Sequence, residues 1–312
     1  MPNSKFISVR IEDQGIRLDK FVLKYFSNIP FSIIQKKIRL GDFRVNLIKQ
    51  KPNYKLLHLD KVFYKENMTI INSFNEKSNV PEKIRKILKS SILFEDNKIL
   101  IFNKPYGISV QGGSKISYSI DDALPFFSSK GNTLKLTHRI DKNTTGILII
   151  AKSKEVAKNI TKLFKENRIL KTYWAVVIGF AQNKSGYIKS SISKIKLNGL
   201  EKVRETKGTD KVALTYYKTL ETRSGLSLME VMPKTGRTHQ IRAHLLSKNC
   251  PILGDSKYKI ETFKNNSFLN EKMHLHAKSI SFNLNETTYS IEAELPNHFK
   301  NTLKNYKFET KL

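Results

Sequence analysis

Leu18, Phe21, Val22, Tyr25 and Phe26 recur at i, i+3, i+4, i+7 and i+8, which predicts an amphipathic helix over 17–26. After the turn residues Asn28 and Pro30, Ser32 is placed to cap a second helix. That helix turns Ile34 and Ile38 inward and Lys36, Lys37 and Arg39 outward, and it should stop at Gly41. Short extended pieces follow at 43–46 and 62–64, so residues 1–75 read as a small α+β unit. The stretch 73–83 is polar, holds Pro81 and has no apolar period; a linker is expected at 76–88, with a second domain over 89–312. There, the apolar or β-branched runs at 99–102, 147–150, 173–178 and 226–231 read as strands. The clearest helix is 155–167, with Val156, Ile160, Leu163 and Phe164 on one face. Strands outnumber helices without regular βαβ alternation, which favours an α+β fold around a mixed, mostly antiparallel central sheet. No repeat of 20 to 50 residues is apparent.

Length supports the division, since 312 residues suffice for about two domains. Charge changes the picture more. The chain carries 56 Lys+Arg against 27 Asp+Glu, a net +29, with 39% hydrophobic residues. It is therefore a folded protein with a strongly positive field, which suits a polyanion such as nucleic acid. The competing explanation is codon bias, because 45 of the basic residues are lysine and 11 arginine. One cysteine, Cys250, excludes an internal disulfide. The opening segment lacks the apolar run of a secretion signal, and no apolar stretch approaches a membrane span, so a soluble cytoplasmic protein without a membrane partner is expected.

Two polar stretches are dense enough to carry chemistry. In Thr137-His-Arg-Ile-Asp-Lys-Asn-Thr-Thr-Gly146, Arg139 and Asp141 are two apart and face one side of an extended segment. An aspartate beside an arginine at a sheet edge is available as nucleophile or base, or else forms a surface ion pair. In Lys234-Thr-Gly-Arg-Thr-His-Gln-Ile-Arg-Ala-His-Leu245, Gly236 permits a turn and Thr238 is a candidate helix cap. Arg237 and Arg242 supply guanidinium forks for carboxylate or phosphate. His239 with His244, and His274 with His276, invite a metal, but there is no HExxH and only one cysteine. Gln111-Gly-Gly-Ser114 fits neither nucleotide-cradle frame and reads as a flexible loop near the site.

These stretches resemble a known family. HRIDKNTTGILIIAK (138–152) is similar to the motif around the catalytic aspartate of the RluA-type RNA pseudouridine synthases. TGRTHQIRAHL (235–245), KTYWAVVIG (171–179) and ILFEDNKILIFNKPYGISVQGGS (92–114) resemble further segments of that family, and 17–62 resembles an S4 RNA-binding domain. The resemblance implies isomerisation of uridine to pseudouridine in large-subunit ribosomal RNA or a pre-ribosomal particle, by a monomer that needs no cofactor and no metal. It implies that Asp141 is the catalytic carboxylate, that Tyr173 packs on the target base and that Arg237 holds Asp141 by a salt bridge. Arg139 would hold the flipped nucleotide or fill its gap, with His138, Thr144, Gln240 and Arg242 also binding substrate. Arg17, Lys20, Lys36, Lys37, Arg39 and Arg44 would track RNA on the S4-like unit. Three departures stand out: Thr145 where Ser is usual, Lys259 ending GDSKYK where Gly is common, and VNLIKQK where Gly often follows VN. A non-catalytic RNA-binding or ribosome-assembly factor is the alternative. A metal-dependent nuclease lacks the clustered carboxylates it would need.

Overall fold

The computed structural model describes residues 4–26, 29, 31–65, 80–112, 116–128, 133–197, 200–206, 212–260 and 271–309. The chain divides into two compact units, one of residues 1–79 with 112–117 and one of 80–111 with 118–312.

The first unit contains β1 (Ser4–Ser8), α1 (Leu18–Tyr25), α2 (Phe31–Leu40), β2 (Phe43–Val45) and β3 (Lys61–Lys65). Among the described residues the strands form an antiparallel sheet in the order β1-β3-β2. The predicted helix faces meet this sheet, burying Leu18, Phe21, Phe26, Ile34, Ile38 and Phe43 completely. Gly41 ends α2 at φ 87°, a left-handed conformation that glycine adopts without steric cost. The side chain of Ser32, expected as a cap, lies outside the described residues. At the tip after β2, Asn46 and Leu47 have φ 48° and 67°, and Val45 and Ile48 exchange backbone hydrogen bonds across them. The turn survives the missing glycine, with Leu47 held in a conformation that costs a non-glycine residue about 1–3 kcal/mol.

The second unit opens with α3 (Glu82–Ser90), which corrects the expected 76–88 linker. Ile84, Ile87 and Leu88 form an i, i+3, i+4 face against Val80, Phe102 and Leu148, a pattern masked in the sequence by the lysines around it. Residues 66–79, which include the start of the expected linker, lie outside the described residues. Next come β4 (Ile92–Glu95), β5 (Ile99–Lys104), α4 (Ile120–Ala123), β6 (Lys135–Leu136), β7 (Thr145–Ala151), α5 (Lys154–Lys165) and β8 (Leu170–Ile178). A long meander of β9 (Ser185–Leu197), β10 (Leu200–Thr206), β11 (Val212–Arg223) and β12 (Leu226–Pro233) follows, then α6 (Gln240–Ser247), β13 (Leu275–Leu284), β14 (Thr287–Glu292) and α7 (Asn297–Asn305). The described strands join in one mixed sheet with the path β10-β9-β11-β12-β8-β13-β7-β5-β4. All its pairings are antiparallel except β13 with β7, so the fold is α+β with a mostly antiparallel sheet.

The centre of this sheet is buried on both faces, which is why β5 and β7 read as continuous apolar runs. Ile99, Ile101, Ile147 and Ile149 pack beneath α5 and beside β13 and β14. Leu100, Phe102, Leu148 and Ile150 point the other way, toward α3 and α4. Gly146 makes the one parallel contact possible. At φ 100°, a Cβ there would collide with the backbone of Ala277 on β13. Its neighbour Thr145 shares a 2.8 Å hydrogen bond with Nδ1 of His276, so threonine serves this buried position as serine could.

Candidate active site

Asp141 sits in the loop between β6 and β7, and its place is fixed by backbone tethers rather than by helix or strand. Thr137 donates from Oγ1 to the Ile149 carbonyl at 2.8 Å, and Nε2 of His138 accepts the Ile149 amide at 2.9 Å. The Thr144 amide closes the turn onto the Asp141 carbonyl at 3.1 Å. From the other side Lys104, at the end of β5 and fully buried, donates to the carbonyls of Pro105, Ile108 and Lys142 at 2.8, 2.9 and 2.9 Å. Three acceptors use all three hydrogens of an ammonium. Burial pulls the Lys104 pKa down to about 7, opposed by the nearby charge of Asp141. Lys104 escaped the sequence reading because a lysine in a Lys-Pro turn looks like surface; only its burial separates it from the other lysines.

The guanidinium that meets Asp141 belongs to Arg242, not to Arg237. Nη1 of Arg242 lies 2.9 Å from Asp141 Oδ2, while Nε and Nη2 grip Asp255 bidentately at 2.6 and 2.7 Å. Asp255 is wholly buried and also accepts the amides of Lys257 and Tyr258 at 2.9 and 3.1 Å. Arg242 further stacks over the Tyr258 ring at 4.9 Å. Burial opposes its charge, but Asp255 and Asp141 outweigh this and raise its pKa. The side chain of Arg237 is exposed at the cleft, because its position precedes α6 whereas Arg242 lies on the inward face of that helix.

Gln240 explains the shape of that loop. Its Oε1 accepts the Arg237 amide at 3.0 Å and the Thr235 hydroxyl at 2.7 Å; its Nε2 donates to the Leu214 carbonyl and Thr215 Oγ1 at 3.0 and 2.9 Å. With its amide so occupied, Gln240 positions the loop on β11 and has no polar atom left for the substrate role expected of it. Thr238 does not cap α6 either. The capping position is His239, at φ 53° and without a side-chain cap bond. That strained backbone brings Nε2 of His239 to 3.7 Å from Asp141 Oδ2, while Nδ1 shares a 2.9 Å hydrogen bond with the Tyr258 hydroxyl. Burial lowers the His239 pKa despite Asp141, which keeps the ring uncharged at neutral pH.

These groups open on a cleft of about 610 Å³, within the range for a small-molecule or nucleotide site. Arg139, Lys165, Lys171, Arg237 and Arg242 line it, and Asp141 is the acidic residue among its described lining. Tyr173, on β8, lies on the same wall, and its phenol is held in the protonated form by burial and by Asp141. His138 stacks on Phe164 at 4.5 Å. Thr144 lines the cleft from a buried position. The sequence-predicted residues Asp141, Tyr173, Arg139, His138, Thr144, Arg242 and Gln240 thus converge on one cleft, with Arg237 at its edge. Gln111 and Gly112 do not line it, and residues 113–115 of the expected flexible loop lie outside the described residues.

No cluster of three or more potential metal-ligating side chains occurs among the described residues. His274 and His276 instead serve the core, hydrogen-bonding to Thr302 and Thr145. Burial depresses four histidines, His138 and His276 to about 3 and His274 and His298 to about 4. Between those values and 6.5 the unfolded chain binds protons that the folded chain refuses, so stability is complete above pH 6.5 and falls with pH below it. At pH 5 each fully buried histidine forfeits about 2 kcal/mol. Thermal melts should therefore show a cooperative loss of stability between about pH 6.5 and 4; a flat profile across that window would contradict the buried, neutral assignment.

On the first unit the cations expected to contact RNA are disposed unevenly. Arg17 pairs with buried Asp19 at 2.6 Å and Lys37 with Asp42 at 3.3 Å, while Nε of Arg44 donates to the Gly41 carbonyl. Lys20 lies over the Phe31 ring at 4.7 Å, and Lys36 and Arg39 are exposed. No described helix is long and apolar enough to cross a membrane.

Comparison with known proteins agrees with this geometry. A family described as RNA pseudouridylate synthase matches residues 98–247. A protein of Buchnera aphidicola subsp. Baizongia pistaciae named ribosomal large subunit pseudouridine synthase C is 34% identical over 308 residues, 97% of this chain and 98% of the relative. Its namesake in Rickettsia prowazekii is 36% identical over 293 residues, 91% and 95% of the two chains. Among solved structures, human RNA pseudouridylate synthase domain containing 4 superposes with a TM-score of 0.61 at 28% identity, covering 72% of this chain and 96% of its own.

Proposed function

This chain belongs to the RNA pseudouridine synthase family, and from that premise we propose that it isomerises specific uridines of large-subunit ribosomal RNA, with Asp141 as the catalytic carboxylate. The reaction breaks the N1–C1′ glycosidic bond, joins C5 to C1′, releases the C5 proton and protonates N1, with no net oxidation and no group donor, so its balance requires no cofactor. The target base must leave its stack, at a cost of a few kcal/mol. A cleft lined by Arg139, Lys165, Lys171 and Arg237 offsets this through phosphate contacts, and Tyr173 offers a ring for the extruded base.

One observation carries the reading: Asp141, the one carboxylate among the described lining, sits in a cationic cleft, braced by a guanidinium that is itself anchored on an aspartate with a fully buried side chain. A pure RNA binder gains nothing from a carboxylate that repels phosphate. Asp141 could attack the uracil ring, attack C1′, or take the ribose proton; each route uses the same carboxylate, braced by the same Arg242. His138, Arg139 and Thr144 then contact the flipped nucleotide, and the S4-like unit, through Lys20, Lys36 and Arg39, holds the RNA backbone. The relatives' names supply the ribosomal large subunit as the target, and a monomer acting in the cytoplasm is the state we assign. Pseudouridine mapping of ribosomal RNA from cells with and without this gene should show discrete large-subunit sites lost in the deletion and restored by the wild-type gene. Unchanged maps would overturn the substrate assignment.

A further inference from the structure

The outer face of the β9–β11–β12 meander has no role in the cleft chemistry, yet it carries an unusual surface. Tyr173, Val231 and Tyr217 lie in register on β8, β12 and β11 and face the cleft side. One residue on, Tyr216 points to the opposite side, paired in register with Tyr187 of β9 and Met232 of β12. The two tyrosine rings are 5.1 Å apart and tilted by 59°. Tyr187 is 62% exposed, so most of an aromatic ring faces water on an open sheet.

Lysines flank this pair. Lys189 stands in register with Leu214, whose carbonyl accepts the Lys234 amide at 2.9 Å. Lys234 is close enough to Lys171 to lower its pKa through charge repulsion, after the larger effect of burial, and Lys171 lines the cleft. Lys234 thus stands beside the cleft rim, and exposed Lys189, two residues from Tyr187 on β9, shares its outer face. Lys218 continues the face beyond Tyr216, with half-buried Glu230 in register beside it. An exposed ring flanked by lysines on a sheet is the composition of a single-strand stacking platform.

We propose that Tyr187 and Tyr216, with Lys189 and Lys234, form a stacking platform for the single-stranded RNA that flanks the target uridine as it leaves the cleft. The assignment rests on the reading of this chain as an RNA-modifying enzyme. The rival role for the tyrosines is structural, as a cross-strand pair that holds the meander together.

Full-length protein with Tyr187→Ala, Tyr187→Leu and Tyr187→Trp separates the two. Affinity is read with a fluorescein-labelled oligouridylate, and kinetics with transcribed large-subunit ribosomal RNA. Tyr187→Ala should weaken oligouridylate binding about tenfold and raise KM with kcat unchanged. Tyr187→Leu, which keeps apolar strand packing, should behave like Ala, and Tyr187→Trp should restore binding. Lys189→Ala should reduce the slope of log affinity against log salt by about 0.7. Wild-type affinity in Tyr187→Ala or Tyr187→Leu, or a fall in kcat at constant KM, overturns the platform. If wild-type protein forms no pseudouridine yet binds oligouridylate through Tyr187, the platform stands and the enzymatic reading falls instead.

Discussion

Asp141→Asn is expected to abolish pseudouridine formation, lowering the single-turnover rate by roughly 10⁴-fold or more, while RNA affinity is kept or slightly increased. The amide has the carboxylate's shape, so the loop tethered by Thr144, Thr137 and Lys104 has no reason to move. It cannot act as a nucleophile or accept the ribose proton, whichever of the three routes operates. Affinity should not suffer, because removing a negative charge from a cleft lined by Arg139, Lys165 and Lys171 relieves repulsion of phosphate. Primer extension after carbodiimide labelling measures the product, and filter binding measures the complex. Wild-type turnover in this variant would remove Asp141 from the chemistry.

Arg242→Met should be the most damaging substitution to stability around the site, at about 3–5 kcal/mol, because it strands Asp255 as an unpaired buried charge. The Asp255 side chain has no exposure and keeps only the two amides of Lys257 and Tyr258. For a unit of this size the melting temperature should fall by roughly 10 °C. Activity should fall as well, since Asp141 loses its 2.9 Å partner. Arg237→Ala, at an exposed position, should leave the melt within about 0.5 kcal/mol of wild type and weaken RNA binding instead. Adding Asp255→Asn to Arg242→Met should recover part of the stability and none of the activity. A stable Arg242→Met protein beside an unfolded Arg237→Ala would reverse the two assignments.

The contrast between these arginines shows how far local pattern reaches. Both lie in one eleven-residue stretch, both are guanidinium forks, and nothing in their spacing says which faces Asp141, about a hundred residues earlier in the chain. The answer depends on where α6 begins, and α6 begins at Gln240 because that side chain gathers Arg237, Thr235, Leu214 and Thr215 around it. Thr238, the better cap by residue preference, loses to this long-range network. Helix α3 was missed for a similar reason: its apolar face is short, and its worth lies in Phe102 and Leu148, which the sequence does not place beside it.

What the sequence determined by itself was everything set by near neighbours along the chain. Helix faces at 18–26 and 34–38, strands read from unbroken apolar runs, a positive field that selects a polyanion and a polar loop bearing Asp141 all follow from residue type and short spacing. The tertiary structure alone decided which cation braces that carboxylate, that Lys104 and Asp255 are buried charges, and that Gln240 is spent on the scaffold. The physical reason is that the worth of a charge or an amide depends on burial and on the partner it meets, and in this fold loops, a helix and strands from different parts of the chain supply those partners.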